Sequence, residues 1–293
     1  MALRLFFFIT VWVACISCEK DIDIDLHDAA PKLVVEATIE NDHPPVVILS
    51  TSLDYFSEIS PEILEASFVH DATITVSDGT TTSTLKEYIV DSNGVNLYFY
   101  SVDASDPSSI ITGKLNTAYS LKIVANGSEY DATTTIPAIT KKIDSLFSQP
   151  VYDNPDSTKV QVLVTATDPP GLGDYIRYYT STNDNTFFPP SNSVFDDLVI
   201  DGTTYTLPIQ KGLNKNMEWE EDDFFFHKGD SVAMKTCNID KATFDFCRTY
   251  EFALQSTGNP FSNPTKITGN ISNGALGYFG GYASQFRQLV IPY

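Results

Sequence analysis

Asn126-Gly127 stands between "YSLKIV" (119–124), where apolar and polar residues alternate, and the returning run "EYDATTTI" (129–136). A two-residue hairpin turn needs positive φ at both positions, which Asn and Gly adopt at the least cost, so this stretch predicts an antiparallel hairpin. The same pattern recurs upstream. "LVVEATI" (33–39) and "VVIL" (46–49) flank Pro44-Pro45, "ATITV" (72–76) runs into Ser77-Asp78-Gly79, 82–86 reads as its return, and "LYFY" (97–100) as another strand. Seven short strands between residues 31 and 140 predict an Ig-like or transthyretin-like β-sandwich. Only "SLDYFSEISPEILEASF" (52–68) breaks the spacing. Ser60-Pro61-Glu62 is a helix start, and the segment reads as a decorated loop over the core edge.

Ile136-Pro137 and Lys141-Lys142 mark a linker, and residues 141–293 read as a second β-rich module. "KVQVLVT" (159–165) is a strand closed by the turn Asp168-Pro169-Pro170-Gly171, followed by "YIRYYT" (175–180). "LVI" (198–200), Asp201-Gly202 and "TTYTL" (203–207) predict a second hairpin, and 230–235 another strand. Asn238 or Asp240 can cap a helix near 239–255, whose packed face carries Phe244, Cys247 and Phe252. Glycine-rich aromatic strands over 275–291 close the module. The expected fold class is mainly β: two sandwich-like modules, the second with one helix.

The start of the chain sets a different constraint. Arg4 is the only charge before Glu19, and "LFFFITVWVA" (5–14) is an apolar run. A positive n-region followed by an h-region of about 7–15 residues is a secretory signal, too short for a spanning helix of about 20. Ser17-Cys18 suits cleavage before a lipid-modified cysteine, giving a signal peptide at 1–17 and a lipidated acidic tether at 18–30. Val13-Ala14-Cys15 is the competing site. Acyl chains on Cys18 would hold the chain at a bilayer by burying methylenes at about 0.8 kcal/mol each. Glu19-Lys20-Asp21 and the acids after it read either as a surface-export signal or as a plain solvated spacer.

Acidic residues outnumber basic ones by 38 to 18, a formal charge of −20 that repels phosphate backbones and excludes nucleic acid as an expected partner. Cys237 and Cys247 would be too far apart to bridge if both lay along one helix. None of the four histidines sits in a nucleophile or metal motif, so neither catalytic residues, metal nor cofactor is expected. Glu218-Trp219-Glu220-Glu221-Asp222-Asp223 is an acidic loop whose Trp219, with Phe187 and Phe188, could form a stacking platform. Tyr278 and Tyr282, among Gly277, Gly280 and Gly281, offer a ligand-facing aromatic surface or else a bent core strand.

"CEKDIDI" (18–24), "PKLVVEATIEND" (31–42), "ATITVSDG" (72–79) and "TGNPFSNPTKITGNISNGALGYFGGYA" (257–283) together resemble one known group. It is the Bacteroidota outer-membrane lipoprotein family described as domain-of-unknown-function number forty-two forty-nine. The resemblance implies an accessory surface lipoprotein, non-enzymatic, working beside a TonB-dependent outer-membrane receptor in nutrient uptake. It assigns no catalytic residue. A carbohydrate- or peptide-processing enzyme in the second module and an adhesive surface module are the alternatives.

Overall fold

The computed structural model describes residues 30–53, 58–92, 94–259 and 265–293, so the signal peptide, Cys15, Cys18 and all but the end of the tether lie outside the described residues. The chain divides into Met1–Pro31 and a compact unit Lys32–Tyr293. In its first half come β1 (Leu33–Glu40), β2 (Val46–Thr51), α1 (Pro61–Ser67), β3 (Thr73–Ser77), β4 (Thr82–Ser92), β5 (Val95–Val102), β6 (Thr117–Ala125) and β7 (Ser128–Ile136). The second half holds β8 (Lys142–Pro150), β9 (Lys159–Thr167), β10 (Tyr175–Thr182), β11 (Val194–Phe195), β12 (Thr204–Ile209), β13 (Phe226–His227), β14 (Ser231–Ile239), α2 (Lys241–Ser256) and β15 (Leu276–Val290). The protein is mainly β, as its alternation dictates.

The first-half strands follow the sequence pattern closely. Asn126 and Gly127 take φ of 51° and 74°, and β6 pairs with β7 from Ala125↔Ser128 outward. Inward residues alternate along β1 (Leu33, Val35, Ala37, Ile39) and β6 (Tyr119, Leu121, Ile123) and meet in one core. Ser60 caps α1, its hydroxyl accepting from the Ile63 N–H.

Residue 140 does not interrupt the main sheet. Its eleven strands run β11-β10-β14-β15-β1-β2-β5-β4-β3-β6-β7, drawing on both halves of the chain. The 15-residue β15 joins them: Val34–Glu40 lie parallel to Leu276–Tyr282, while Tyr282–Val290 pair antiparallel with β14. Phe279 and Ala283 of β15 enter the core of the first half, and Leu289 packs against the core of the second. At Gly281 the backbone of β7 crosses so closely that a Cβ would overlap the Thr135 carbonyl.

Three features of the second half differ from the sequence expectation. Residues 197–202 form tight turns, not a strand, because the Ile200 and Asp201 N–H groups both return to the Asp197 carbonyl (3.1 and 2.9 Å). Thr204–Ile209 pair with β9 instead of a neighbouring hairpin strand. Lys141, read as part of a linker, is 2 % exposed. The helix starts at Lys241, with Asp240 as its cap (Oδ1 accepts from Thr243 N, 2.8 Å). The other carboxylate oxygen of Asp240 accepts from Thr134 Oγ1 and Thr135 N, which ties the helix to β7.

Beside the large sheet, β9 pairs with β8 on one side and with β12 and β13 on the other. This small sheet faces the inner side of β10 and β14 across a second core that includes Val162, Tyr178, Ile209 and Met234.

Candidate functional site

That core fills the space between the two sheets only in part. A cavity of about 590 Å³ opens between β9 and β12 on one side and β10 and β14 on the other, within the usual range of about 300–1,000 Å³ for small-molecule sites. Strand alternation creates its walls: Val164 and Ala166 of β9 face Ile176 and Tyr178 of β10, with Met234 of β14 beside them. The rim is apolar too. Val199 is 92 % exposed at the tip of the 197–202 turns, and Phe195, Leu207 and Phe252 are also exposed around the opening.

The C-terminal half of α2 supplies the polar part of the mouth. Glu251 is buried, and its carboxylate accepts from the backbone N–H of Ser193 (3.1 Å) and from the Ser193 hydroxyl. Gln255 donates to the Ser191 carbonyl (2.8 Å) and to Asn192 Oδ1 (3.1 Å), binding the helix to the loop before β11. Arg248 pairs with Asp196 at 3.3 Å and lies 5.6 Å from the Phe244 ring centroid.

A charged clasp borders the cavity through Lys141, whose side chain is buried. Lys141 Nζ lies 3.1 Å from Asp168 Oδ1, off the hydrogen-bond direction, and donates to the Asp174 carbonyl at 3.2 Å. Carboxylate oxygens of Asp168, Asp174 and Asp197 lie within 4.8 Å of one another around this ammonium. Burial pushes Asp197 up, but N–H donors from Asp174 (2.9 Å) and Gly173 (2.7 Å) outweigh it and hold the carboxyl below its ordinary value. Burial also pushes the hydroxyls of Tyr178 and Tyr205 in the cavity wall up to about 12.

The residues singled out from sequence lie elsewhere. Tyr278 and Tyr282 are buried, with hydroxyl oxygens 3.0 Å apart. Tyr278 stacks on Phe246 of α2 (4.2 Å between centroids), and Tyr282 accepts from Arg177 (3.0 Å), so they form part of the packing beneath the helix. Trp219 is 39 % exposed, donates to the Asn214 carbonyl (2.7 Å) and meets Phe224 edge-on, while Phe187 meets Phe286. In the acidic loop, Asp222 pairs with Lys159 (2.9 Å) and His227 (3.3 Å), and Asp223 accepts from the Glu220 N–H. Cys237 on β14 and Cys247 on α2 are free buried thiols, and burial pushes Cys237 up to about 11.

No sequence motif marked the cavity. Its wall residues read as ordinary core alternation, and only the pairing of two separate sheets shows that they leave space. The chain also carries a family signature running through this fold: the sequence profile of the domain of unknown function DUF4249 matches residues 19–288. The chain belongs to that family. The match takes in both halves, every residue of the cavity and the large sheet as far as Gln288 of β15. No curated protein is similar enough to this chain to count as a relative. Among the described residues no helix is long and apolar enough to cross a membrane.

Proposed function

We propose that this protein is a non-enzymatic binding component of the cell envelope, anchored through lipid on Cys18 at the outer membrane. It takes a small, largely apolar molecule between its sheets and serves a TonB-dependent receptor in nutrient uptake. The observation that carries the reading is the cavity itself. Apolar walls favour transfer of an apolar ligand from water by about 25 cal/mol for each Å² buried, and the polar groups near the mouth are already engaged by Ser193, Asp196 and Asn192. Polar partners few in number and fixed in place, over an apolar lining, describe a binding pocket.

The anchor is supported by the sequence before residue 19, where the family match begins directly after Cys18. In the acidic loop, Asp222 is paired with Lys159 and Asp223 accepts from the Glu220 N–H, contacts that favour a structural part for these two acids.

Pyrene, an uncharged hydrocarbon whose emission bands report the polarity around it, tests the cavity. It should bind with an apolar emission signature, and Ala166→Phe, which fills the wall, should abolish that binding while the far-ultraviolet circular dichroism is kept. Equal binding by the variant would place pyrene elsewhere and remove the reading. The envelope role has its own test: palmitate labelling in cells should be lost in Cys18→Ala, and a mild-detergent pull-down should recover an outer-membrane receptor.

A further inference from the structure

The cavity has one polar feature that the fold leaves without a partner. Thr236 of β14 lines it, is 5 % exposed, and its Oγ1 makes no hydrogen bond. Buried hydroxyls are rarely left this way, because desolvation without a compensating bond is costly. Two residues further along the same face of β14, Asn238 donates to Thr140 Oγ1 (2.6 Å), but its Oδ1 also has no partner. Thr140 in turn donates to Asp174 Oδ1 (2.7 Å), beside the Lys141 clasp. A buried part of the apolar cavity wall thus carries a hydroxyl with both its donor and acceptor capacity unspent.

The charges nearby decide what can meet that hydroxyl. Asp168, Asp174 and Asp197 set three carboxylates against one ammonium. A ligand carboxylate would add a fourth negative charge in a site of low dielectric, where repulsion is weakly screened. A ligand ammonium would have to lose its water while the carboxylates stay out of its reach. Asp168 Oδ1 has no hydrogen-bond partner, but its side chain is fully covered and outside the cavity lining, Asp197 Oδ2 is engaged by Gly173 and Asp174, and Asp174 Oδ1 by Thr140. An uncharged hydroxyl escapes both costs and can donate to, and accept from, Thr236 Oγ1.

We propose that the cavity binds an apolar molecule that carries an uncharged hydroxyl at one end, that this end enters first, and that Thr236 is the residue that recognises it. This rests on the cavity being a binding site, as argued above. Rim residues Val199 and Phe252 then contact the apolar body.

Competition against pyrene tests it with three ligands of the same chain length: 1-decanol, decanoate and n-decylamine, at pH 7. On the unaltered protein, decanol should displace pyrene at a concentration at least roughly tenfold lower than either charged compound, because only the charged head groups meet repulsion or lose their water without a partner. Thr236→Val keeps the shape and the charges, and should weaken decanol alone by about tenfold, the worth of one hydrogen bond, with pyrene, decanoate and decylamine unchanged, while Thr236→Ser should bind decanol as the unaltered protein does. Equal displacement by all three, or decanol binding unchanged in Thr236→Val, overturns the inference and leaves Thr236 a partner for water alone. If Thr236→Val does not fold, 1-decanol against 1-chlorodecane on the unaltered chain decides the matter, since both are neutral and of similar length and only the alcohol can donate to and accept from Thr236; equal displacement by the two overturns the inference. Failure of pyrene to bind at all would instead sink the cavity reading, and this inference with it.

Discussion

Lys141 shows how far a side chain can depart from its local sequence. Beside Lys142 it looks like a solvated linker charge, yet its ammonium is buried against Asp168, whose side chain is fully covered. Removing one partner of such a pair strands the other charge in a medium that cannot solvate it. Lys141→Met should therefore destabilise the fold by about 3–5 kcal/mol, and the double variant Lys141→Met with Asp168→Leu should recover much of that loss in chemical denaturation. Asp197 gives the same clasp a pH dependence. Its folded pKa is depressed, so its contribution is fully present above the unfolded carboxylate value of about 3.9 and fades as pH falls through the folded value. Asp197→Asn should lower stability at pH 7 and flatten the acid side of a melting-temperature profile. An unchanged acid limb would show that the two N–H donors do not act on this carboxylate.

Among the elements, β15 carries the most. Its first residues pair with β1 in parallel, and Gly277 there sits at φ 99°, where a Cβ would overlap the Val35 carbonyl. Gly277→Ala combines backbone strain with displacement of β1, so a loss well above the roughly 1 kcal/mol of an ordinary Gly→Ala mismatch is expected. Hydrogen exchange should show it as faster exchange at Val34 and Glu36. Phe279, fully buried two residues on, should cost about 3–5 kcal/mol as Phe279→Ala. The glycine-aromatic run was legible as either a bent core strand or a ligand surface. The structure makes it the strand, because β7 and α2 cover the faces where Tyr278, Phe279 and Tyr282 project.

Across the entire chain, the eleven-stranded sheet joins the two halves through that same strand. Residues 31–140 made alone would lack Phe279 and Ala283 from their core and the parallel partner of β1. We expect that fragment to be unfolded or aggregated, and the chain from residue 19 to unfold in one transition seen identically by far-ultraviolet dichroism and by aromatic fluorescence. Two separated transitions would show that each half is stable without the other.

Local chemistry alone determined the hairpin at Asn126-Gly127, the alternation along β6, the helix start at Ser60 and a second helix capped by Asn238 or Asp240, of which the fold uses Asp240. Each depends on neighbours a few residues apart, where φ preferences, periodicity and capping operate. Tertiary structure alone decided that the last strand lies beside the first, that Lys141 is buried and that two apolar faces stand apart over a cavity. Those outcomes depend on which distant surfaces meet, and alternation says only which way a side chain points, never how closely the opposite sheet approaches.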